Sequence, residues 1–195
     1  MKVNNYPLKT PSTGDKLFGS DVNGDQKQFD MSAVSNNVFQ YEIGQYVEDE
    51  GGVIFHRYLD GDTQKYLAVE PINVTGTLIG STAQSTWDGL SNSNAIISQA
   101  THTSSAAKLC LDSTINNQTD WYLLSIDELL LLYNNKFNVN KTLSSVPGAS
   151  EIDILDTWCS TEFNTTQAFY KSNSAQTSSS KSNTFRVRAI RKFSI

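Results

Sequence analysis

The sequence predicts an α+β fold preceded by a β-hairpin arm, and three observations carry that reading. One segment carries the signals of a capped helix, several segments alternate as strands do, and the first forty residues differ in character from the rest. The helix signal lies in the run DWYLLSIDELLLLY, residues 120–133. Ser125 stands three residues before Glu128, the spacing of a capping box, in which the hydroxyl accepts from the Glu128 N–H and the carboxylate accepts from the Ser125 N–H. Leu124 and Leu129 hold the two positions of a hydrophobic staple. Ile126, Leu129, Leu130 and Tyr133 repeat at i, i+3, i+4, i+7, one apolar stripe. Asp127 and Glu128 suit the positive end of the helix dipole.

From the N-terminus, 16–22 and 26–31 flank Asn23-Gly24, the strongest short hairpin signal. Residues 1–40 read as an attachment or oligomerisation arm. Leu17, Phe18, Phe29 and Met31 are too apolar for a free tail, and a lone hairpin is marginal in water. These four residues are therefore expected to contact another protein chain. Asp21, Asn23 and Asp25 have the opening spacing of a calcium loop, but Gln26 and Ser32 stand where the loop needs Gly and Glu.

Residues 41–195 form the second domain. Within it, 52–59 and 65–70 make a hairpin around Asp60-Gly61-Asp62, with Val53, Phe55 and Leu59 alternating on one face. Residues 95–110 are a small-residue helical stretch, the first of two helices, and 112–119 are a polar loop. The capping-box helix follows, then a long loop through Val146-Pro147-Gly148. Segments 158–162, 166–170 and 185–193 read as closing strands, and the Ser-, Asn- and Thr-rich run 171–183 as a polar hairpin loop or flap. In the last strand Phe185, Val187, Ala189 and Phe193 are expected to face the core. Arg186, Arg188 and Lys192 are expected outward, on a salt-bridged face of an acidic protein. Trp121, Leu129, Leu130, Trp158 and Val187 are expected to share one core.

A net charge of −5 over 195 residues argues against nucleic-acid binding, which needs a basic face. No run approaches the length of a transmembrane helix, so no membrane insertion is expected. The first residues lack the apolar core of a signal peptide, which suggests synthesis in a cytoplasm without the usual export route. Cys110 and Cys159 read as two buried thiols in a reducing compartment.

Four landmarks occur in a recognisable order: GGVIF at 51–55, DWYLLSIDELLLLY at 120–133, TWCSTE at 157–162 and FRVRAIRKF at 185–193. Together they resemble a family of C-type-lectin-like domains found in gut-bacterial surface proteins and bacteriophage virions. Leu124 stands where that family has Pro, Cys159 where it has Ser, and His56 where it has an aromatic partner for Phe55. The resemblance implies two helices packed on a small, twisted, mostly antiparallel sheet, rich in loops. The arm is similar to those of phage fibre proteins. Together these imply a virion structural protein, a short head or tail fibre or decoration protein. Its arm would engage other virion proteins, it would be a homo-oligomer, and its lectin-like domain would be displayed for a host-surface glycan or protein. The alternative is a bacterial cell-surface adhesin or carbohydrate-binding module. In related domains the ligand face lies in loops near the C-terminal strands, which points here to Asn164, Gln167, Tyr170 and Asn173.

No catalytic constellation emerges, so the chain reads as a non-enzyme without cofactors. His56 and His102 have no motif partner, Ser125 is a cap, and the adjacent Asp127 and Glu128 point about 100° apart on a helix. Two histidines and no C-x-x-C leave no zinc set. Dialysis against a chelator is accordingly expected to leave the melting temperature unchanged. A fall of several degrees would restore the Asp21–Asp25 loop as a metal site.

Overall fold

The computed structural model describes residues 16–20, 26–30, 39–72, 74–76, 83–100, 102–153, 156–172 and 175–195, with the side chains of 16–20, 26–30 and 74–76 left aside. The chain divides into two compact units, Met1–Gln40 and Tyr41–Ile195. In the first, β1 (Lys16–Ser20) pairs antiparallel with β2 (Gln26–Asp30), with Leu17 opposite Phe29 and Phe18 opposite Gln28. The Asn23-Gly24 turn, the Asp21–Asp25 spacing and Met31 lie outside the described residues.

The second unit is α+β, built on two five-stranded sheets. One runs in the order β3 (Tyr46–Val47), β4 (Gly52–Asp60), β5 (Thr63–Val69), β12 (Ala189–Ser194) and β7 (Tyr122–Leu123). The other runs β10 (Gln176–Ser180), β9 (Gln167–Lys171), β8 (Thr157–Glu162), β11 (Phe185–Val187) and β6 (Val74–Gly76). Its β8–β11 pairing is parallel and the rest antiparallel. The described helices are α1 (Gly89–Ile97), α2 (Ala106–Leu111), α3 (Ile126–Asn134) and α4 (Lys136–Leu143).

Helix α3 starts as its sequence dictates. The Glu128 N–H donates to Ser125 Oγ at 3.3 Å and the Ser125 N–H donates to Glu128 Oε2 at 2.7 Å. Leu124 and Leu129 are both fully buried. The Gly51-Gly52 pair also has a physical cause. Gly51 sits at φ +71, and a Cβ on Gly52 would meet the Val69 carbonyl at 2.9 Å and the Trp121 ring at 3.2 Å.

Several expectations change. The predicted single helix over 95–110 is two short helices, each begun by its own side-chain cap, Asp88 to the Ser91 N–H and Ser105 to the Lys108 N–H. The expected long loop after α3 begins with α4, a mostly polar helix that buries only Val139 and Leu143, four apart, and so gives little apolar periodicity. The expected flap at 171–183 contains β10, registered residue for residue against β9. Its Gln-Thr-Ser-Ser-Ser sequence lacks alternation because it is a polar edge strand.

Leu59 does not share a face with Val53 and Phe55. Phe55 is the extra residue of a β-bulge between Ile54 and His56, so the alternation shifts and Leu59 is exposed. The last strand also breaks its predicted alternation. At Arg188 the chain leaves one sheet for the other, and Val187, Arg188, Ala189, Ile190 and Arg191 are all buried. Arg188 donates to the carbonyls of Glu70, Ser150 and Glu151. Arg191 pairs with Asp120 and Glu50, and Arg186 with Asp153.

The core is two clusters instead of one. Leu129 joins Val53, Phe55, Leu67 and Leu132, while Trp121 and Trp158 pack with Ile96, Cys110 and Val187. Leu130 is only half-buried; Leu132 takes the core position. Leu129→Ala is expected to cost about 2–5 kcal/mol in a denaturant titration. Leu130→Ala is expected to cost distinctly less, and equal losses would contradict this placement.

Beside the sheet switch, Glu70 accepts from the Ala189 N–H at 2.9 Å. Burial raises its carboxyl to about 7, against the pull of the Ala189 N–H and Arg188. A raised folded-state pKa favours the protonated form. Its contribution is therefore complete below the ordinary glutamate value and is lost as pH rises through about 7. Glu70→Gln keeps an acceptor and removes the charge. It is expected to match the native chain in acid and to exceed it by on the order of 3 kcal/mol above neutrality. A stability difference that is constant across this pH range would refute the assignment.

Candidate binding cleft

A cleft of about 490 Å³ lies between the outer part of the β4–β5–β12 face and the first turn of α3. Its floor is a row set by register, with His56 opposite Leu67 and Leu67 opposite Lys192. The Phe55 bulge brings His56 into this row. Tyr58, two residues further along β4, stacks on His56 with ring centroids 5.9 Å apart, and Asp60 follows at the hairpin end. Asp127, Glu128 and Leu131 enter from α3, and Trp87 from the segment before α1.

Trp87 is 69% exposed, yet its backbone is pinned on both sides. The Thr86 carbonyl accepts from the Asp127 N–H at 2.9 Å. The Asp88 N–H donates to Ser85 Oγ at 2.9 Å, and the Asp88 carboxylate caps α1. A large apolar ring is thus held out to solvent on a fixed backbone.

The electrostatics of the cleft are uneven. Burial pushes the Glu128 carboxyl up, while Ser125, the Tyr122 hydroxyl at 2.9 Å and the charge of Lys192 pull it back. Burial lowers the pKa of His56, favouring the neutral ring. Asp60, Asp127 and Lys192 are exposed. Among the described residues, no hydrogen bond or ion pair engages their side chains, the Tyr58 hydroxyl or the Trp87 indole N–H.

The ligand-face candidates lie elsewhere and are partly occupied within the fold. Asn164 Oδ1 accepts from the Thr166 and Gln167 N–H groups at 2.9 and 2.8 Å, and its amide donates to Gln167 Oε1 at 3.1 Å. Tyr170 packs its ring against Phe185 and Trp158, at 4.8 and 5.9 Å between centroids. Asn173 lies outside the described residues, as does Met31. The side chains of Leu17, Phe18 and Phe29 likewise lie outside what is described. Sequence reasoning weighed His56 alone and Asp127 only with Glu128, and missed Tyr58, Trp87 and Lys192 as their neighbours. The cleft has no contiguous motif, and its one local signal is a tryptophan directly before the Asp88 cap.

His102 Nε2 lies 2.9 Å from Ser105 Oγ, but that hydroxyl also caps α2. Cys110 and Cys159 are free thiols in different clusters, and burial raises both, Cys159 to about 12. Among the described residues, no group of three or more His, Cys, Asp or Glu side chains is placed to hold a metal. No described helix is long and apolar enough to cross a membrane.

No protein-family model matches the chain, and no curated protein matches it. Among solved structures, a fimbrial protein from Bacteroides ovatus is similar over 64% of this chain and 35% of that one, at 20% identity and a TM-score of 0.49. The chain thus spans about a third of the length of that protein.

Proposed function

We propose that this chain is a displayed, non-enzymatic binding protein of a bacteriophage virion, a short head or tail fibre or decoration protein. Residues 1–40 attach it to other virion proteins and assemble it as a homo-oligomer, and residues 41–195 form a C-type-lectin-like domain presented to a host surface. The observation that carries this reading is the division at Gln40 and Tyr41 into a two-stranded hairpin unit and a larger α+β unit with its own core. A two-stranded hairpin is marginal alone and gains stability from a partner. The virion itself is inferred from the resemblance of the arm and of the four landmark motifs.

The second reading, a bacterial cell-surface adhesin or carbohydrate-binding module, is favoured by the exposed Trp87 beside an open cleft. Mass spectrometry of purified virions separates the two readings, since only the first puts the chain in particles. Deleting residues 1–40 is expected to leave a domain with native circular dichroism that no longer enters virions. Truncated protein still found in particles would rule out the arm as anchor.

A further inference from the structure

The geometry points to the cleft beside α3 as a site for an organic cation, the guanidinium or ammonium group of a basic side chain on a partner polypeptide. This rests on reading residues 41–195 as a displayed binding domain, and it names the chemistry that domain recognises. Three carboxylates, Asp60, Asp127 and Glu128, line the cleft against one ammonium, Lys192. Glu128 is engaged by Ser125 and Tyr122 and lies in the field of Lys192. The carboxylates of Asp60 and Asp127 are left exposed, with no hydrogen bond or ion pair among the described residues. An anion would meet this excess of negative charge and be disfavoured.

Exposed carboxylates alone attract cations weakly, because water screens them. Trp87 changes the balance, since indole is the best aromatic partner for a cation and Tyr58 adds a second ring to the lining. Leu67 and Leu131 supply an apolar lining for the stem of a long basic side chain. A guanidinium fits best: it is flat enough to stack on indole and donates in a fork that matches a carboxylate. A neutral sugar could stack on Trp87 but would leave both carboxylates uncompensated. A quaternary ammonium offers the cation contact without donors, so it discriminates between sources of the charge.

The test titrates the purified full chain with N-acetyl-arginine amide, N-acetyl-lysine amide, choline and methyl α-glucoside, following tryptophan fluorescence. Trp121 and Trp158 are fully buried, so Trp87 should dominate the response. Saturable binding of the arginine probe in the millimolar range is expected, weakened by added salt. Trp87→Ala should abolish it, and Asp60→Asn with Asp127→Asn should weaken it about tenfold. Thermal melts verify folding. If Asp127→Asn disturbs the helix start, the exposed Asp60 and Trp87 variants carry the test, read by amide chemical shifts. Choline binding as tightly as the arginine probe, a response to the glucoside alone, or no saturable binding up to about 50 mM would each overturn the proposal. These titrations need no virion. A chain that enters particles yet ignores every probe loses only the cation site, and one that binds the arginine probe but stays out of particles loses only the attachment reading.

Discussion

Buried at the head of α3, the Glu128 carboxylate accepts from the Ser125 N–H at 2.7 Å and from the Tyr122 hydroxyl at 2.9 Å. A buried carboxylate is costly unless its lone pairs are met, so this group fixes everything that meets it. It ties the start of α3 to β7, and a Cβ on Gly89 would lie 2.5 Å from its Oε2, so α1 can approach only through a glycine. Around it the polar contacts continue. Thr161 Oγ1 accepts from the Ile126 N–H at 3.0 Å and donates to the Ser85 carbonyl at 2.8 Å, and Asn92 bonds Ser85 through both ends of its amide. Ser160 meets the Leu124 carbonyl, and Glu162 holds the buried Lys181 at 2.8 Å. The helix cap and strand β8 are thus joined by one polar lattice.

That lattice explains which parts of the chain could be read in advance. Ser125 and Glu128 interact within four residues, so the cap was legible, and so was the burial of Trp121 and Trp158, which belong to landmark motifs. The second cluster, the bulge at Phe55 and the sheet switch at Arg188 depend on partners far along the chain. The Phe55 bulge is defined by its register with Leu67 and Ala68, and Arg188 by carbonyls at 70, 150 and 151. An alternating pattern assumes one uninterrupted sheet, and here two strands violate that assumption. Helix α4 and strand β10 escaped notice for a different reason: each buries too little for its polar sequence to carry a period.

The same irregularities shape the cleft beside the helix cap. Without the bulge, His56 would not stand in the row with Leu67 and Lys192. The bond from the Asp127 N–H to the Thr86 carbonyl joins the Trp87 segment to the helix start. Of the landmark residues, Asp127, Glu128, Leu131 and Lys192 line this surface directly. Ser125, Thr161 and Glu162 are turned inward and hold the scaffold, while Tyr58, Asp60 and Trp87 stand outside the motifs and line the cleft.

This separation bears on how far a resemblance in landmarks can reach. Residues satisfied by one another inside the fold constrain its geometry, and substitutions among them are limited by buried hydrogen bonds. Residues with no internal partner carry no such constraint and can vary with the ligand while the scaffold stays fixed. Asn164 and Gln167 bond each other and Tyr170 packs on Phe185, so the face suggested by resemblance, which includes Gln167 and Tyr170 of strand β9, is held largely by contacts within the fold. The side chains of Trp87, Asp60 and Asp127 lack such contacts among the described residues, and of the three only Asp127 lies within a landmark motif.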